Sequence, residues 1–338
     1  MDNWMCQHKK YKIILEARGV KIYQCDFCDL VFIKKKRLDL DENYPASQKN
    51  APHRQEEKCR IVQRMSPNTA NTSVLYGVYK NYYKKETGGR FLFGVEYIVK
   101  AFRLARALKI FFIKPNAKSI LDIGSGRGWT LYFLKKYFKY RIAVGTQISE
   151  NAYKFSKEKL RLEIYDKDLL ELNFSNKFDI ITLWHVLEHI SDPEMYLEKI
   201  HKLLDDHGLL LIEVPNFNSW ARKLTKNHWL SLDIKHHLIF FTPAALVNLL
   251  NEYNFKVKSL NTFSLEYSTF TSVQSIVNLI TNSDDYFFEW LQKGNFSPKI
   301  ILHMLLFAIL FPICFLVNLM LFFSKNGEVI NIIAEKND

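Results

Sequence analysis

The chain has 338 residues, 48% of them hydrophobic, and carries a formal charge of +12 from 47 Lys and Arg against 35 Asp and Glu. This length suggests two domains or one large α/β domain with appendages, and the apolar content excludes wholesale disorder. Five unevenly spaced cysteines, Cys6, Cys25, Cys28, Cys59 and Cys314, exclude a disulfide framework.

In chain order, the polar start from Met1 to Lys10 is not followed by an apolar run, so no signal peptide is read there and a cytosolic location is expected. Residues 1–40 hold Cys25-x-x-Cys28 and two short strand-like runs, Lys12 to Leu15 and Leu30 to Ile33. Residues 41–90 are polar and interrupted by Pro45, Pro52 and Pro67, which suits a linker or cap rather than a long helix. Lysine and arginine gather at Lys34 to Arg37 and again around Lys80 to Arg90. Such clusters suit anionic lipid, a phosphorylated substrate or nucleic acid, or else form a solvated basic face. Nucleic acid is not the expected partner.

From Phe91 to Ile113 apolar residues recur at helical spacing, with Arg103, Arg106 and Lys109 between them, and Pro115 ends the helix. Strand and helix then alternate. Strands are expected at Ser119 to Ile123, Arg141 to Thr146, Phe178 to Leu183 and Leu209 to Val214. Helices are expected at Trp129 to Tyr140, at Glu150 to Leu160 after the candidate N-cap Ser149, and from Pro193 to a stop near Gly208. Short, continuously apolar strands in this alternation predict a parallel sheet covered on both faces. Ile301 to Phe323 is free of formal charge, and Glu328 to Ala334 reads as one more strand.

The central chemical signal is Leu121-Asp122-Ile123-Gly124-Ser125-Gly126-Arg127-Gly128, directly after a strand and before a helix. Glycine lets a ligand approach the backbone, and the following helix start presents N–H groups. The G-x-G-x-G spacing differs from the G-x-G-x-x-G of dinucleotide sites. Asp122 at the strand end suits a cationic amino group and would repel a pyrophosphate. Further on stand Trp184-His185-Val186-Leu187-Glu188-His189-Ile190-Ser191-Asp192-Pro193, then Val214-Pro215-Asn216, Trp229-Leu230-x-Leu232-Asp233, His237-Leu238 and Phe241-Thr242-Pro243.

On these motifs the chain resembles the class I S-adenosylmethionine-dependent methyltransferases, in a bacterial branch with a Val-Leu-Glu-His-x-x-Asp-Pro motif. The resemblance covers about residues 90–264. It implies a Rossmann-like, doubly wound seven-stranded sheet, and S-adenosyl-L-methionine as cofactor. It assigns cofactor binding to Asp122, Gly124, Ser125, Gly126, Gly128, Gln147, Asp168 and Trp184. Gln147 stands where the family carries an acidic ribose-binding residue, so charge-assisted binding is lost there. Asp168 maps to the adenine contact, with a turn aspartate as the alternative, and Trp184 is core or a wall of the methionine site.

His185, His189 and His237 are the catalytic candidates. A base with a pKa near neutrality suits an alcohol acceptor, and the end of the fourth strand is where ligands sit in open α/β sheets. The alternative for His189 and Glu188 is a hydrogen-bonded structural role, and His236 shares a loop with His237. The absence of a His-Glu-x-x-His motif argues against metal catalysis. Cys25-Asp26-Phe27-Cys28 resembles a zinc ribbon preceding the catalytic domain in some relatives. Cys6, His8, Cys25 and Cys28 are the candidate ligands of a structural zinc ion, with Cys59 more distant and a metal-free remnant as the alternative.

The apolar segment within 299–325 would be about 35 Å long as one helix, enough for a bilayer core of about 30 Å. A single crossing would strand the last strand, so the expectation is a helical hairpin bent near Pro312 or an interfacial insertion. Burial in a homodimer, and a true span with a non-sheet tail, are the alternatives. The activity expected is O-methylation of a lipid-linked sugar, polysaccharide precursor or quinone-like lipid at the inner face of the membrane. The rivals are C-methylation of a nucleotide-linked sugar and a non-catalytic, membrane-associated binding module.

Overall fold

The computed structural model describes residues 11–17, 19–26, 29–33 and 91–337. The region 41–90, and the candidate ligands Cys6, His8, Cys28 and Cys59, lie outside them.

The centre is a seven-stranded sheet. Its strands are β4 (Ser119–Ile123), β5 (Ile142–Thr146), β6 (Glu163–Tyr165), β7 (Phe178–Trp184), β8 (Leu204–Pro215), β10 (Phe255–Asn261) and β11 (Val329–Lys336), in spatial order β10-β11-β8-β7-β4-β5-β6. Strands β4 to β8 pair in parallel, whereas β11 runs antiparallel to both β8 and β10. All five residues of β4 are buried, because helices cover both faces. Successive side chains serve opposite layers. Leu121 and Ile123 join α4 (Pro193–Leu203) and α6 (Pro243–Glu252) in one core. Ile120 faces α1 (Phe93–Ile113) and α2 (Trp129–Tyr137) in the other.

Local chemistry sets most boundaries. Asp192 caps α4, its carboxylate accepting the Met195 N–H at 3.1 Å with Pro193 in the first turn. Gly208 does not end that helix, which stops at Leu203. Residues 204–208 already belong to β8, and a side chain on Gly208 would lie 2.7 Å from the Asp205 carbonyl oxygen. The glycine therefore serves a tight approach inside an irregular strand start. The helix after Ser149 is also shorter than its pattern suggests: α3 (Glu150–Lys154) widens into a π turn at Phe155–Lys159. The Ser149 side chain accepts no cap hydrogen bond. The backbone N–H of Ser149 instead meets Gln147 Oε1 at 2.8 Å.

A second sheet of four antiparallel strands joins β1 (Tyr11–Ala17), β2 (Val20–Cys25) and β3 (Val31–Ile33) to β9 (Ile239–Phe240). Ala17, Ile22, Val31 and Ile33 share a core with Phe217, Trp229, Leu232 and Phe240. The described N-terminal strands thus pack on the segment after β8. Cys25 is buried at the end of β2.

The apolar segment is one continuous helix, α9 (Lys299–Met320), with Pro312 inside it and no hairpin. Proline removes one backbone bond, but packing along α7 (Ser268–Thr281) keeps the helix whole. Phe307 and Cys314 pack on Val273 and Val277, and Asn318 Nδ2 donates to Ser272 Oγ at 2.9 Å and to the Cys314 carbonyl at 2.8 Å. The chain then returns as β11, so the expected last strand does complete the sheet.

Candidate functional site

Strands β4, β5 and β6 proceed to one side of the sheet, while β7 lies on the other side of β4. The loops after β4 and β7 therefore diverge at a topological switch point, where open α/β sheets hold ligands. The loop after β4 is shaped by Gly124, Gly126 and Gly128, all left-handed at φ 70°, 57° and 72°. Thr146 anchors it: its carbonyl accepts the Ser125 N–H at 2.9 Å and its hydroxyl accepts the Gly124 N–H at 3.3 Å. A side chain on Gly124 would come within 2.5 Å of Val186 Cγ2, so the loop after β4 and the loop after β7 touch where glycine is required.

Asp122 is buried at the end of β4, accepting a hydrogen bond from Thr182 Oγ1 at 2.6 Å. Burial raises its pKa to about 6, against the pull of Thr182, Arg106 and Arg103. It is still ionised at neutral pH. Gln147 is buried at the end of β5, and its oxygen is taken by the Ser149 N–H, which leaves the amide nitrogen as the group for a ligand. Asp168 is engaged at both oxygens, by the Leu170 N–H at 2.8 Å and by the Tyr196 hydroxyl. Its carboxylate caps a 3-10 turn at Leu169–Glu171. Trp184 points into the core beneath α1, with the Arg106 guanidinium 4.3 Å from its ring centre.

On the other side of the switch point, His185 sits at φ 54°, a region that costs a non-glycine residue about 1–3 kcal/mol. Its Nε2 is 3.2 Å from Glu213 Oε1, and its Nδ1 is 3.4 Å from Glu188 Oε1. Burial alone would lower its pKa, but the two carboxylates outweigh this and raise it to about 9. His185 is therefore an imidazolium at neutral pH, with no lone pair to take a proton. A general base needs the neutral ring, the form that the two carboxylates disfavour. Glu213 completes the arrangement. Its own burial is overcome by His185, Arg106 and Lys109, which bring it down to about 2.

His189 and His237 lie together, ring centres 4.7 Å apart. His237 is buried, and desolvation, then the neighbouring His189, push its pKa down to about 4, so it is neutral. Its Nδ1 meets the Ser231 carbonyl at 3.0 Å, and His189 Nδ1 meets the His236 carbonyl at the same distance. The loop is held in shape by Asp233, whose backbone carbonyl accepts the N–H groups of His236 and His237 and whose carboxylate bonds His236 Nδ1 at 2.5 Å.

Several contributors were not singled out from the sequence. Arg103 and Arg106 of α1 both pair with Glu266, Arg106 at 3.0 Å, and the Tyr267 ring lies tilted against His185 with centres 3.9 Å apart. Glu213 carried a signal that could have found it, as the sole charge in Leu209 to Val214. Glu266 and Tyr267 carried none, lying in a loop with no periodic pattern.

A family model described as a methyltransferase domain matches residues 51–260. (S)-coclaurine N-methyltransferase from Thalictrum flavum subsp. glaucum is 30% identical over 104 residues, 29% of this chain and 29% of that protein, so the match spans less than a third of the curated relative. Among solved structures, a SAM dependent methyltransferase from Archaeoglobus fulgidus is 22% identical, with 71% of this chain and 94% of that one covered and a TM-score of 0.44. A putative sarcosine dimethylglycine methyltransferase from Galdieria sulphuraria is 15% identical, covering 80% and 99%, with a TM-score of 0.46. With more than half of its residues matched by the family model, the chain belongs to the methyltransferase domain family.

Proposed function

We propose that the protein is a class I S-adenosylmethionine-dependent methyltransferase acting on the hydroxyl of a lipid-linked acceptor, such as a sugar or quinone-like lipid, at the inner face of a membrane. The observation that carries the reading is the glycine cradle at the switch point, left open to Val186 by the missing Gly124 side chain and bordered by the ionised Asp122. S-adenosylmethionine supplies an electrophilic methyl group and carries an ammonium that suits Asp122. The Gln147 amide nitrogen donates to a ribose hydroxyl. His185, fixed as a cation between Glu188 and Glu213, positions the β7 loop, and the neutral His237 lies on the acceptor side.

The lipid-linked acceptor is supported by α9. Ile301, Leu302, Leu305, Ile309, Ile313 and Leu316 are all more than half exposed on the side opposite Phe307 and Cys314. Lys299 and Lys325 bound a stretch with no charge between them, which suits an anionic bilayer surface with the helix lying in the interface.

Titration calorimetry with S-adenosylmethionine tests the enzyme reading: absence of binding by folded protein would leave only a binding module. Flotation with phosphatidylglycerol vesicles tests the location. The full chain should float and an Ile309→Glu/Leu316→Glu variant should not, with cofactor binding retained. A stable dimer that ignores vesicles would overturn the membrane reading.

A further inference from the structure

Glu188, His189 and His237 form a convergent set whose meaning the methyl-transfer reading does not exhaust. Their donor atoms all lie within 4.8 Å of one another. Glu188 is 1% exposed; its Oε1 faces His185 Nδ1 at 3.4 Å, and its Oε2 has no hydrogen-bond partner among the described residues. A buried carboxylate with one oxygen left unpartnered is costly, and native structures rarely leave one so.

The two imidazoles are oriented in the way metal-binding histidines usually are. Each places Nδ1 at 3.0 Å from a main-chain carbonyl, His237 on Ser231 and His189 on His236. That bond fixes the Nδ1–H tautomer of the neutral ring and makes Nε2 the ligating atom. The supporting carbonyls come from one loop, 231–237, folded back on Asp233. Leu238 N–H, in turn, donates to the Glu188 carbonyl at 2.9 Å, tying this loop to the end of β7.

We propose that Glu188, His189 and His237 hold a divalent transition-metal ion of the zinc class, whose remaining position takes an oxygen of the methyl acceptor. Two histidines and one carboxylate make the three-ligand set of open zinc sites, leaving a fourth position for water or substrate. Tetrahedral ligand atoms lie about 3.3–3.5 Å apart, so binding asks for a contraction of roughly 1 Å from the present spacing. The ion supplies Glu188 with a second charge partner beside the His185 imidazole. Among the described residues, Cys25 is not part of this cluster. Its use for the acceptor, though not the binding itself, rests on the methyltransferase reading.

The test uses the full chain, stripped with a chelator and reloaded with zinc or cobalt. Metal content should fall by one equivalent in both Glu188→Gln and His237→Gln, with any cysteine-bound equivalent left in place. Cobalt at this site should give visible bands without thiolate charge transfer. Loss of a direct ligand should weaken binding beyond the 10–100-fold typical of an outer-shell partner. Far-UV circular dichroism checks that the variants fold, and the cobalt spectrum of the unsubstituted chain decides the matter if they do not. Binding of S-adenosylmethionine is measured on the same samples. No uptake outside thiolate ligation, or uptake that survives both substitutions, overturns the metal site; uptake without cofactor binding overturns the methyl-transfer reading instead.

Discussion

The two sides of the switch point are built by different physics. The donor side, from β4 to β6, is shaped by main-chain geometry: three left-handed glycines, with Thr146 pinning two of the loop's N–H groups. Acceptor-side chemistry rests on buried side-chain charges brought together from α1, β7, β8 and the loop before α7. Glu188, Glu213 and Glu266 face His185, Arg103 and Arg106, three carboxylates against three cations. The contrast teaches that the first side rests on backbone conformation, whereas the second rests on the pairing of buried charges.

The largest effect should come from breaking that set. Glu213→Gln leaves His185 and Arg106 short of a buried partner, and should cost about 3–5 kcal/mol in urea unfolding. A loss under about 1 kcal/mol would mean the charges are hydrated and the contrast is false. Gly124→Ala attacks the donor side where the backbone decides. The added carbon meets Val186 at a left-handed φ, so cofactor affinity should fall at least about 100-fold by calorimetry, or about 2.7 kcal/mol.

The pH dependence separates two imidazoles of the same side. His185 has its folded pKa raised to about 9, so its contribution is fully present below its ordinary pH 6.5 and lost as pH rises through about 9. His237, lowered to about 4, contributes above pH 6.5 and loses that contribution as pH falls through about 4. Unfolding free energies should therefore vary less with pH between 6.5 and 9 in His185→Gln, and between 6.5 and 4 in His237→Gln. The smallest change is Gln147→Glu. The carboxylate can keep the Ser149 N–H on one oxygen and offer a charged acceptor on the other, tightening cofactor binding by roughly tenfold. Equal or weaker affinity would remove Gln147 from the ribose site.

Much of the donor side was legible because its signals are local. A run such as Ser119 to Ile123 ending in spaced glycines specifies strand, turn and helix within a dozen residues, and the structure places β4, the loop and α2 there. Asp168 and Trp184 mark where local reading leaves two roles open. The Asp168 cap to the Leu170 N–H is local, but the Tyr196 hydroxyl on Asp168 and the Arg106 guanidinium over Trp184 come from segments remote in sequence. The hairpin expected at Pro312 fails for a related reason: the proline penalty is local, whereas the packing of Phe307, Cys314 and Asn318 on α7 that outweighs it is tertiary.

By itself the sequence determined the alternating strands and helices, the glycine turn and the apolar character of 301–323, because periodicity and backbone freedom are properties of neighbouring residues. Only the tertiary structure decided that His185 is a cation and His237 neutral, since both states depend on carboxylates and burial contributed by distant segments. It also decided that Glu188 stands among three imidazoles, facing His185 at 3.4 Å and close to His189 and His237. Long-range packing assembles that cluster, and the spacing of its residues along the chain does not encode it.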